Sequence, residues 1–127
     1  MPRNVFTYGS LMFPQVWERV VSGSYRSAAA TLAGHARLAI VGETYPGMIA
    51  RDGGSTRGVV YFDVHERDVA VLDAFEGGDY RRVSVGLQLE DGELAAADTY
   101  LYLPVQRLAS SAWVPEDFQV QRFLGSC

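Results

Sequence analysis

An apolar run and stretches in which hydrophobic and polar residues alternate predict β-strands from Gly58 onward. The strongest signal is Gly58–Val64, a largely apolar run that we expect to lie buried at the centre of a sheet. Strict alternation predicts a further strand over Arg82–Leu89, and Asp91–Gly92 is typical of a hairpin turn. This turn leads into a predicted strand over Ala95–Leu103.

The first half of the chain has weaker strand signals. They predict strands over Asn4–Tyr8, Ala28–Val41 and Met48–Ala50. Gly9–Ser10 ends the first of these, and a glycine turn after a strand can leave backbone N–H groups unpaired and available to a ligand. Asp52–Ser55, which contains two glycines, is predicted to be a loop.

Three segments have the composition and the end signals of helices. Pro14–Val21 has proline in its first turn, and His65–Phe75 is followed by Gly77–Gly78, which ends it. Pro115–Leu124 is predicted to close the chain as a helix. About six strands and three short helices predict one α+β domain over residues 1–127, with a curled, mixed sheet.

The composition and charge of the chain disfavour nucleic acid and membranes as binding partners. The chain has 127 residues, of which 48% are hydrophobic and 20% charged, as in an average folded domain. Its net charge is -4 and its 11 basic residues are scattered arginines, so we expect no binding to nucleic acid. No apolar stretch is long enough to span a membrane or to form a signal-peptide core. We therefore expect a cytoplasmic protein without a membrane partner.

Few residues are available to hold a metal ion. Cys127, at the last position, is the single cysteine and is interpreted as an ordinary terminal thiol. His35 and His65 are the two histidines, so a zinc site would depend mainly on carboxylates. We expect no metal site.

Glu76 follows the second predicted helix on its apolar side. A step of about 100° per residue places it in a hydrophobic arc formed by Val69, Val71, Leu72 and Phe75. Burial and the negative end of the helix dipole both raise the expected pKa of this carboxyl, whereas a nearby arginine such as Arg82 would lower it. This balance suits a general base, but a glutamate that only fixes the helix end explains the pattern equally well. Asp73, at the polar edge of the arc, is interpreted as a solvated carboxylate.

Several short motifs follow one another along the chain. They are Val5–Leu11, Tyr45–Pro46, Gly58–Tyr61, Leu72–Gly77 and Tyr80–Arg82. In order and spacing they resemble the gamma-glutamylcyclotransferase-like family, which includes gamma-glutamylamine cyclotransferases and the plant avirulence-induced-gene-like proteins. The resemblance covers nearly the whole chain. It implies a small β-barrel-like sheet with flanking helices, and a pocket formed by the Tyr8–Leu11 loop and Glu76.

The same resemblance implies an intramolecular reaction, without a cofactor, on a small γ-glutamyl substrate. In this family the α-amino group attacks the side-chain carbonyl of its own γ-glutamyl unit, which gives 5-oxoproline and releases an amine or amino acid. Glu76 would take a proton from the α-ammonium group and later deliver one to the leaving amine. Backbone N–H groups of Gly9, Ser10 and Leu11 would stabilise the oxyanion or hold the substrate carboxylate.

Four further side chains are candidates for shaping the pocket, namely Tyr8, Tyr45, Tyr80 and Arg82. The guanidinium of Arg82 suits a substrate carboxylate or Glu76 itself, because its forked geometry matches either partner. Asp52–Ser55 and Gln106–Val114 are candidate walls on the side of the leaving group.

Other functions stay open. Ser10 as a nucleophile is disfavoured, because there is no GxSxG elbow and neither histidine is linked to it in the sequence. A noncatalytic ligand-binding or interaction domain with the same pocket is the main alternative, since a fold does not carry activity with it. An inward carboxylate favours the enzyme, because a pocket that only binds does not need one. The sequence determines neither the leaving group nor the oligomeric state.

Overall fold

The structure is a computed structural model that describes residues 2–118 and 124. Its strands are β1 (Arg3–Thr7), β2 (Ser27–Ile40), β3 (Pro46–Val64), β4 (Tyr80–Leu89), β5 (Leu94–Tyr102) and β6 (Leu108–Ala112). The described part also contains α-helices α1 (Pro14–Val20) and α2 (Glu66–Glu76), and 3-10 turns at Ser10–Met12, Val105–Arg107 and Pro115–Asp117.

Five of the strands close into a barrel. Their order is β3-β1-β5-β4-β2, and β2 pairs again with β3. β1 and β5 run parallel, whereas the other neighbours are antiparallel. β6 extends the sheet beyond the barrel by pairing with the last residues of β2. The predicted α+β fold, a curled mixed sheet or barrel with short flanking helices, is confirmed.

The predicted loop at Asp52–Ser55 is wrong, because β3 runs through it without a break. The pairing with β2 shifts between Ala33 and His35, where the extra residues of β3 form a bulge. Gly53 has a positive φ of 78°, which glycine adopts without strain. The glycines therefore bend a strand here instead of ending it.

The number of strands agrees with the prediction of about six, but two of the predicted strands are parts of one strand, and one observed strand was not predicted. The predicted strands Met48–Ala50 and Gly58–Val64 are parts of β3, whose second half lies between β1 and β2. The sixth strand is β6, in a segment where the sequence predicted none. β6 is short and contains mostly small residues, so its strand state depends on pairing with Leu38 and Ile40 of β2.

Alternation along β1 and β3 divides the buried side chains between two clusters. Phe6 and Val60 belong to a cluster formed almost entirely by strand residues, which fills the barrel. Val5 and Tyr61 face the other way and join residues of both α-helices. In this second cluster the ring of Trp17 stacks on Tyr61, with centroids 3.7 Å apart. Burial of each large side chain contributes about 1.5–3 kcal/mol, so both helices are fixed on the outside of the barrel.

A buried carboxylate joins α2 to the end of α1. Asp68 accepts hydrogen bonds from the N–H and hydroxyl of Ser22 (3.0 Å each), the N–H of Gly23 (2.9 Å) and the hydroxyl of Tyr25 (2.5 Å). Burial raises the pKa of Asp68, but the hydrogen bonds outweigh it and hold the pKa at about 2. α2 therefore starts from a fixed point, and its position determines where Glu76 lies.

α2 buries a narrower face than its sequence predicted. Val69 and Leu72 are buried, but Val71 and Phe75 are 40% and 37% exposed, so their assignment to the inner arc was wrong. A helix that lies on the convex outside of a barrel contacts it along a narrow stripe, and the flanking apolar residues stay in contact with solvent.

The predicted helix at Pro115–Leu124 is not continuous. Its first residues form only the 3-10 turn Pro115–Asp117, and Phe118 is extended. Leu124 is helical and packs against the helix-side cluster, while residues 119–123 and Cys127 lie outside the described residues. The assignment of residues 1–127 to a single domain stays a prediction.

Candidate active site

A cavity of about 500 Å³ lies at the end of the barrel where α2 stops. It is lined by Phe6–Leu11, Gly42–Pro46, Phe75–Glu76, Asp79–Tyr80 and Tyr100. These segments meet because the ends of β1, β2 and β5 and the beginnings of β3 and β4 lie at the same end of the barrel. A volume of this size is typical of small-molecule sites.

The loop after β1 forms one wall of the cavity and is held from both sides. The Tyr8 hydroxyl donates to the carbonyl of Tyr100 at 2.7 Å, and Nη1 of Arg37 donates to the carbonyl of Tyr8 at 3.0 Å. A Cβ atom at Gly9 would lie 2.9 Å from Cδ of Pro46, so only glycine fits without displacing the loop. The loop position is therefore set by tertiary contacts and by the missing side chain of Gly9.

Three backbone N–H groups of this loop are unpaired within the described residues. Ser10–Met12 is a 3-10 turn, whose bonds begin with the N–H of Met12 on the carbonyl of Gly9 at 3.0 Å. The first N–H groups of any helical turn have no partner inside it, and here those of Gly9, Ser10 and Leu11 find none elsewhere in residues 2–118. All three residues line the cavity. The loop thus has spare donors for a ligand oxygen.

Glu76 lines the cavity opposite this loop as the last residue of α2. It is partly buried, and no residue of the described chain donates a hydrogen bond to its carboxylate or forms an ion pair with it. Burial, and to a lesser extent the charge of Asp73, raise the pKa of Glu76 to about 8. The alternative of a glutamate tied to Arg82 or to backbone donors has no support in these contacts. Glu76 is free to exchange a proton with a ligand.

Tyrosines surround this carboxyl group. Burial raises the pKa of the Tyr8, Tyr80 and Tyr100 hydroxyls, and the nearby charge of Glu76 raises each one further. The Tyr80 hydroxyl donates to the carbonyl of Pro46 at 2.9 Å. Because the hydroxyl protons of Tyr8, Tyr80 and Tyr100 all go to protein acceptors, none is left to neutralise Glu76 by hydrogen bonding.

Tyr45 lies in the Gly42–Pro46 loop, which forms the outer wall. Burial and a hydrogen bond to Glu43 raise the pKa of Tyr45 to about 12. Nε1 of Trp113 donates to the carbonyl of Thr44 at 2.9 Å and fixes this loop from outside the cavity. Together with the bond from Tyr80 to Pro46, this contact holds Tyr45 over the cavity.

Arg82 is the one predicted site residue that does not line the cavity. Its Nη1 donates to Oδ2 of Asp98 at 2.8 Å, and its Nε lies 3.0 Å from Oδ1 of Asp73, an ion pair without the alignment of a good hydrogen bond. It does not contact Glu76, one of its two predicted partners. The charged strand residue Asp98 was the available signal, because the β4–β5 hairpin brings it beside Arg82.

Sequence reasoning missed Tyr100, Glu43 and Asp79. Counting outward from the Asp91–Gly92 turn would have placed Tyr100 within one residue of the position opposite Arg82, and the observed pairing puts the two residues opposite each other. No sequence signal marks Glu43 and Asp79, which both pair with Arg107, at 3.8 Å and 3.5 Å. These loop residues take the place of the predicted walls at 52–55 and 106–114, which do not line the cavity.

Neither histidine takes part in the cavity. The His35 ring contacts the carbonyl of Ala33 at 3.1 Å, and His65 caps α2 by accepting a hydrogen bond from the N–H of Arg67 at 3.0 Å. Ser10 therefore has no histidine base beside it. Within residues 2–118 and 124, no three His, Cys, Asp or Glu side chains are grouped to hold a metal ion, and no helix is long and apolar enough to cross a membrane.

A comparison with models of protein families identifies the family of this chain. The family model described as "Gamma-glutamyl cyclotransferase, AIG2-like" matches residues 5–117. The chain belongs to this family. The match spans the Tyr8–Leu11 loop, all six strands except the first residues of β1, and α2 with Glu76. The family resemblance inferred from the sequence motifs is thereby confirmed.

Relatives in the gamma-glutamyl cyclotransferase, AIG2-like family agree with this. AIG2-like protein A of Arabidopsis thaliana is 36% identical over 101 residues, which are 79% of this chain and 61% of that protein. The chain thus spans about three-fifths of this curated relative. A solution structure of an Arabidopsis thaliana protein matches with a TM-score of 0.76 at 30% identity, covering 98% of this chain and 83% of that one.

A structure named gamma-glutamyl cyclotransferase has a TM-score of 0.70 at 19% identity and covers 80% of this chain and 67% of that one. At this identity the likeness shows the shared barrel fold, and the chemistry of the present cavity has to be argued from its own residues.

Proposed function

We propose that this chain is a gamma-glutamyl cyclotransferase that converts a γ-glutamyl unit to 5-oxoproline and releases an amine or amino acid. The observation that carries the proposal is Glu76, a partly buried carboxyl without a protein partner, in one cavity with a loop that has unpaired N–H groups. A proton acceptor and a set of oxyanion donors are what this reaction requires. The family to which the chain belongs supports the same reaction class.

The proposed reaction moves two protons, one after the other, through Glu76. Ionised Glu76 takes a proton from the substrate α-ammonium group, and the free amine attacks the γ-carbonyl carbon of the same molecule. A C–N bond forms and the carbonyl oxygen becomes negative. Glu76 then gives this proton to the departing nitrogen, the old C–N bond breaks, and the carbonyl re-forms in the five-membered ring. The ring nitrogen still has one proton too many; Glu76 takes it and passes it to the released amine, which leaves as an ammonium ion. The carboxyl group ends in its starting state.

The loop after β1 supplies hydrogen-bond donors for the negative charge that develops on the carbonyl oxygen. A well-placed donor to a developing oxyanion contributes about 3–4 kcal/mol, and Gly9, Ser10 and Leu11 offer unpaired N–H groups. They would hold the former carbonyl oxygen or the substrate α-carboxylate. Because both reacting groups belong to one molecule, the cavity walls, including Tyr8, Tyr45 and Tyr80, need only hold the chain folded on itself.

The pKa of Glu76 supports an acid/base role near neutral pH. A carboxyl with the ordinary value would be a weak base, whereas one near 8 has a proton affinity close to that of the group it serves. Both protonation states are then populated under the conditions in which the protein works.

The test is production of 5-oxoproline by the purified protein. We would incubate the wild type and Glu76→Gln with a panel of γ-glutamyl amino acids and γ-glutamylamines and measure 5-oxoproline by mass spectrometry. We expect product from the wild type and at least a 100-fold lower rate from the nearly isosteric variant. Glu66→Gln, on the same helix but outside the cavity, serves as the matched control and should keep the wild-type rate.

A noncatalytic binding domain is the alternative outcome. It would be indicated if the wild type makes no 5-oxoproline across the panel while a γ-glutamyl compound raises the melting temperature. Equal rates for wild type and Glu76→Gln would instead remove Glu76 from the mechanism.

A further inference from the structure

A series of hydrogen-bonded and ion-paired side chains beside the cavity has no role in the proposed mechanism. It consists of Tyr100, Asp73, Arg82 and Asp98. Tyr100, a cavity residue, donates its hydroxyl proton to Oδ1 of Asp73 at 2.7 Å. Nε of Arg82 lies 3.0 Å from the same oxygen, and Nη1 of Arg82 contacts Asp98 at 2.8 Å. Asp73 is therefore held between a neutral donor on the cavity side and a cation on the other side.

Arg82 is itself fixed by the partners of Asp98. Asp98 is only 6% exposed and also accepts from Arg3 at 3.2 Å and from the hydroxyl of Ser84 at 3.1 Å. Arg82 and Asp98 lie on paired strands, so the guanidinium has little freedom to turn toward the cavity. Its charge stays next to Asp73.

Asp73 and Glu76 are three residues apart on α2, the spacing at which two helical side chains are neighbours. A charge on Asp73 therefore acts on Glu76 at short range. The other titratable groups that face Glu76 or line its cavity come from the loop after β1, the β2–β3 loop, the α2–β4 loop, β4 and β5; they are Tyr8, Glu43, Tyr45, Asp79, Tyr80 and Tyr100. Neither carboxylate among these groups, Glu43 or Asp79, belongs to α2, whereas Asp73 shares the helix face of Glu76.

We propose that Asp73 and Arg82 are positioning residues that together set the pH at which Glu76 exchanges its proton. The proposal rests on the proposed role of Glu76 in catalysis. Asp73 favours the protonated form of Glu76 through like-charge repulsion, and Arg82 limits this effect by neutralising Asp73. Arg82 thus acts through Asp73 and touches neither substrate nor Glu76.

Substitution of Asp73 and substitution of Arg82 are expected to shift the titration midpoint of Glu76 in opposite directions. Asp73→Asn removes the negative neighbour, so the titration midpoint of Glu76 should fall by about one pH unit. Arg82→Gln leaves Asp73 uncompensated, so the midpoint should rise by about half a unit or more. A purely structural role predicts no such opposition, because both variants would then only lower stability.

The measurement is carbon-13 NMR of the side-chain carboxyl of Glu76 in the substrate-free protein, with Glu76→Gln to assign the signal. Glu66→Gln is the matched control, because Glu66 is an exposed carboxylate at the start of the same helix, outside the cavity, and it should leave the midpoint unchanged. Where Arg82→Gln does not fold because Asp98 has lost its partner, Arg82→Gln with Asp98→Asn removes that buried charge and should still raise the midpoint.

The kinetic counterpart is the pH at which kcat/KM rises, which should move in the same directions as the NMR midpoints. An unchanged midpoint in Asp73→Asn, or shifts of the same sign in both variants, overturns the proposal. Because the titration needs no substrate, it tests this proposal even if the protein makes no 5-oxoproline. A protein that makes no 5-oxoproline would contradict only the proposed catalytic function.

Discussion

The hydroxyl of Tyr8 donates to the main-chain carbonyl of Tyr100 at 2.7 Å, across the cavity end of the barrel. This bond joins the first residue of the donor loop (Tyr8–Leu11), directly after β1, to β5, which runs parallel to β1 beside it. Two walls of the cavity are thereby held at a fixed separation. The relative position of the loop N–H groups and Glu76 depends on such contacts, because the loop itself has few internal hydrogen bonds.

Tyr8→Phe tests this contact. The variant removes one buried hydrogen bond, so we expect a loss of about 1 kcal/mol in the free energy of unfolding. We also expect kcat/KM to fall about tenfold because the loop is less well positioned. Urea unfolding and steady-state kinetics measure the two effects. Thr56→Val, which removes a buried hydroxyl that donates to the carbonyl of His35 outside the cavity, should lower stability without lowering kcat/KM, and a similar kinetic loss in both variants would contradict the prediction.

Glu76→Gln is expected to stabilise the protein at alkaline pH. The pKa of Glu76 is raised from its ordinary 4.5 to about 8 in the folded state, so the fold prefers the protonated form. This contribution is complete below pH 4.5 and is lost as the pH rises toward 8, at about 1.4 kcal/mol per unit. The variant should therefore match the wild type near pH 4.5 and exceed it by roughly 2–5 kcal/mol near pH 9.

Thermal or urea unfolding of both proteins between pH 4.5 and 9 measures this difference. All other titrating groups are shared and cancel in the comparison. A difference that does not change with pH would show that Glu76 titrates with an ordinary pKa.

The rate of 5-oxoproline formation should depend on the ionisation of Glu76. If the carboxylate is the base, kcat/KM rises with pH until about pH 8 and falls tenfold per unit well below it. A pH series with a good substrate gives the acidic limb of this profile. The residual rate of Glu76→Gln should lack that limb, and a wild-type profile that is flat from pH 6 to 9 would contradict the assignment.

Gly9→Ala should displace the donor loop. Its new Cβ would lie 2.9 Å from Cδ of Pro46, so either the loop or the β2–β3 connection has to move. We expect a loss of about 1–3 kcal/mol in stability and at least a tenfold loss in kcat/KM. Gly86→Ala is the control, because no atom lies within 4 Å of its new Cβ and its φ is not positive. The prediction fails if both variants have the same kcat/KM.

Asp68→Asn should weaken the attachment of α2. The pKa of Asp68 is held at about 2, below its ordinary 3.8, so its contribution is present above pH 4 and is lost as the pH falls toward 2. At pH 7 the variant should be about 2–3 kcal/mol less stable than the wild type, and the gap should narrow in acid. Urea unfolding at pH 7 and pH 3 tests the trend, which a constant gap would contradict.

Much of the candidate site was predictable because its signals are local. The helix pattern that ends at Gly77 already indicates that Glu76 lies on the inner face at the helix end, and a strand followed by Gly9–Ser10 already indicates a loop with free N–H groups. Arg82, in contrast, does not line the cavity, because it pairs with Asp98 on the neighbouring strand and with Asp73. Whether a strand arginine meets Asp98 or a ligand depends on which strands pair and in what register.

The sequence by itself determined the elements whose hydrogen bonds close within a few residues: α1, α2 and the hairpin of β4 and β5. It also determined the family, since the motifs depend only on residue order. Tertiary structure alone decided that β3 continues through Asp52–Ser55, that β6 exists, and that Glu43, Asp79 and Tyr100 complete the cavity. The physical reason is that strands and cavity walls are stabilised by partners far away in the chain, and local propensity does not specify those partners.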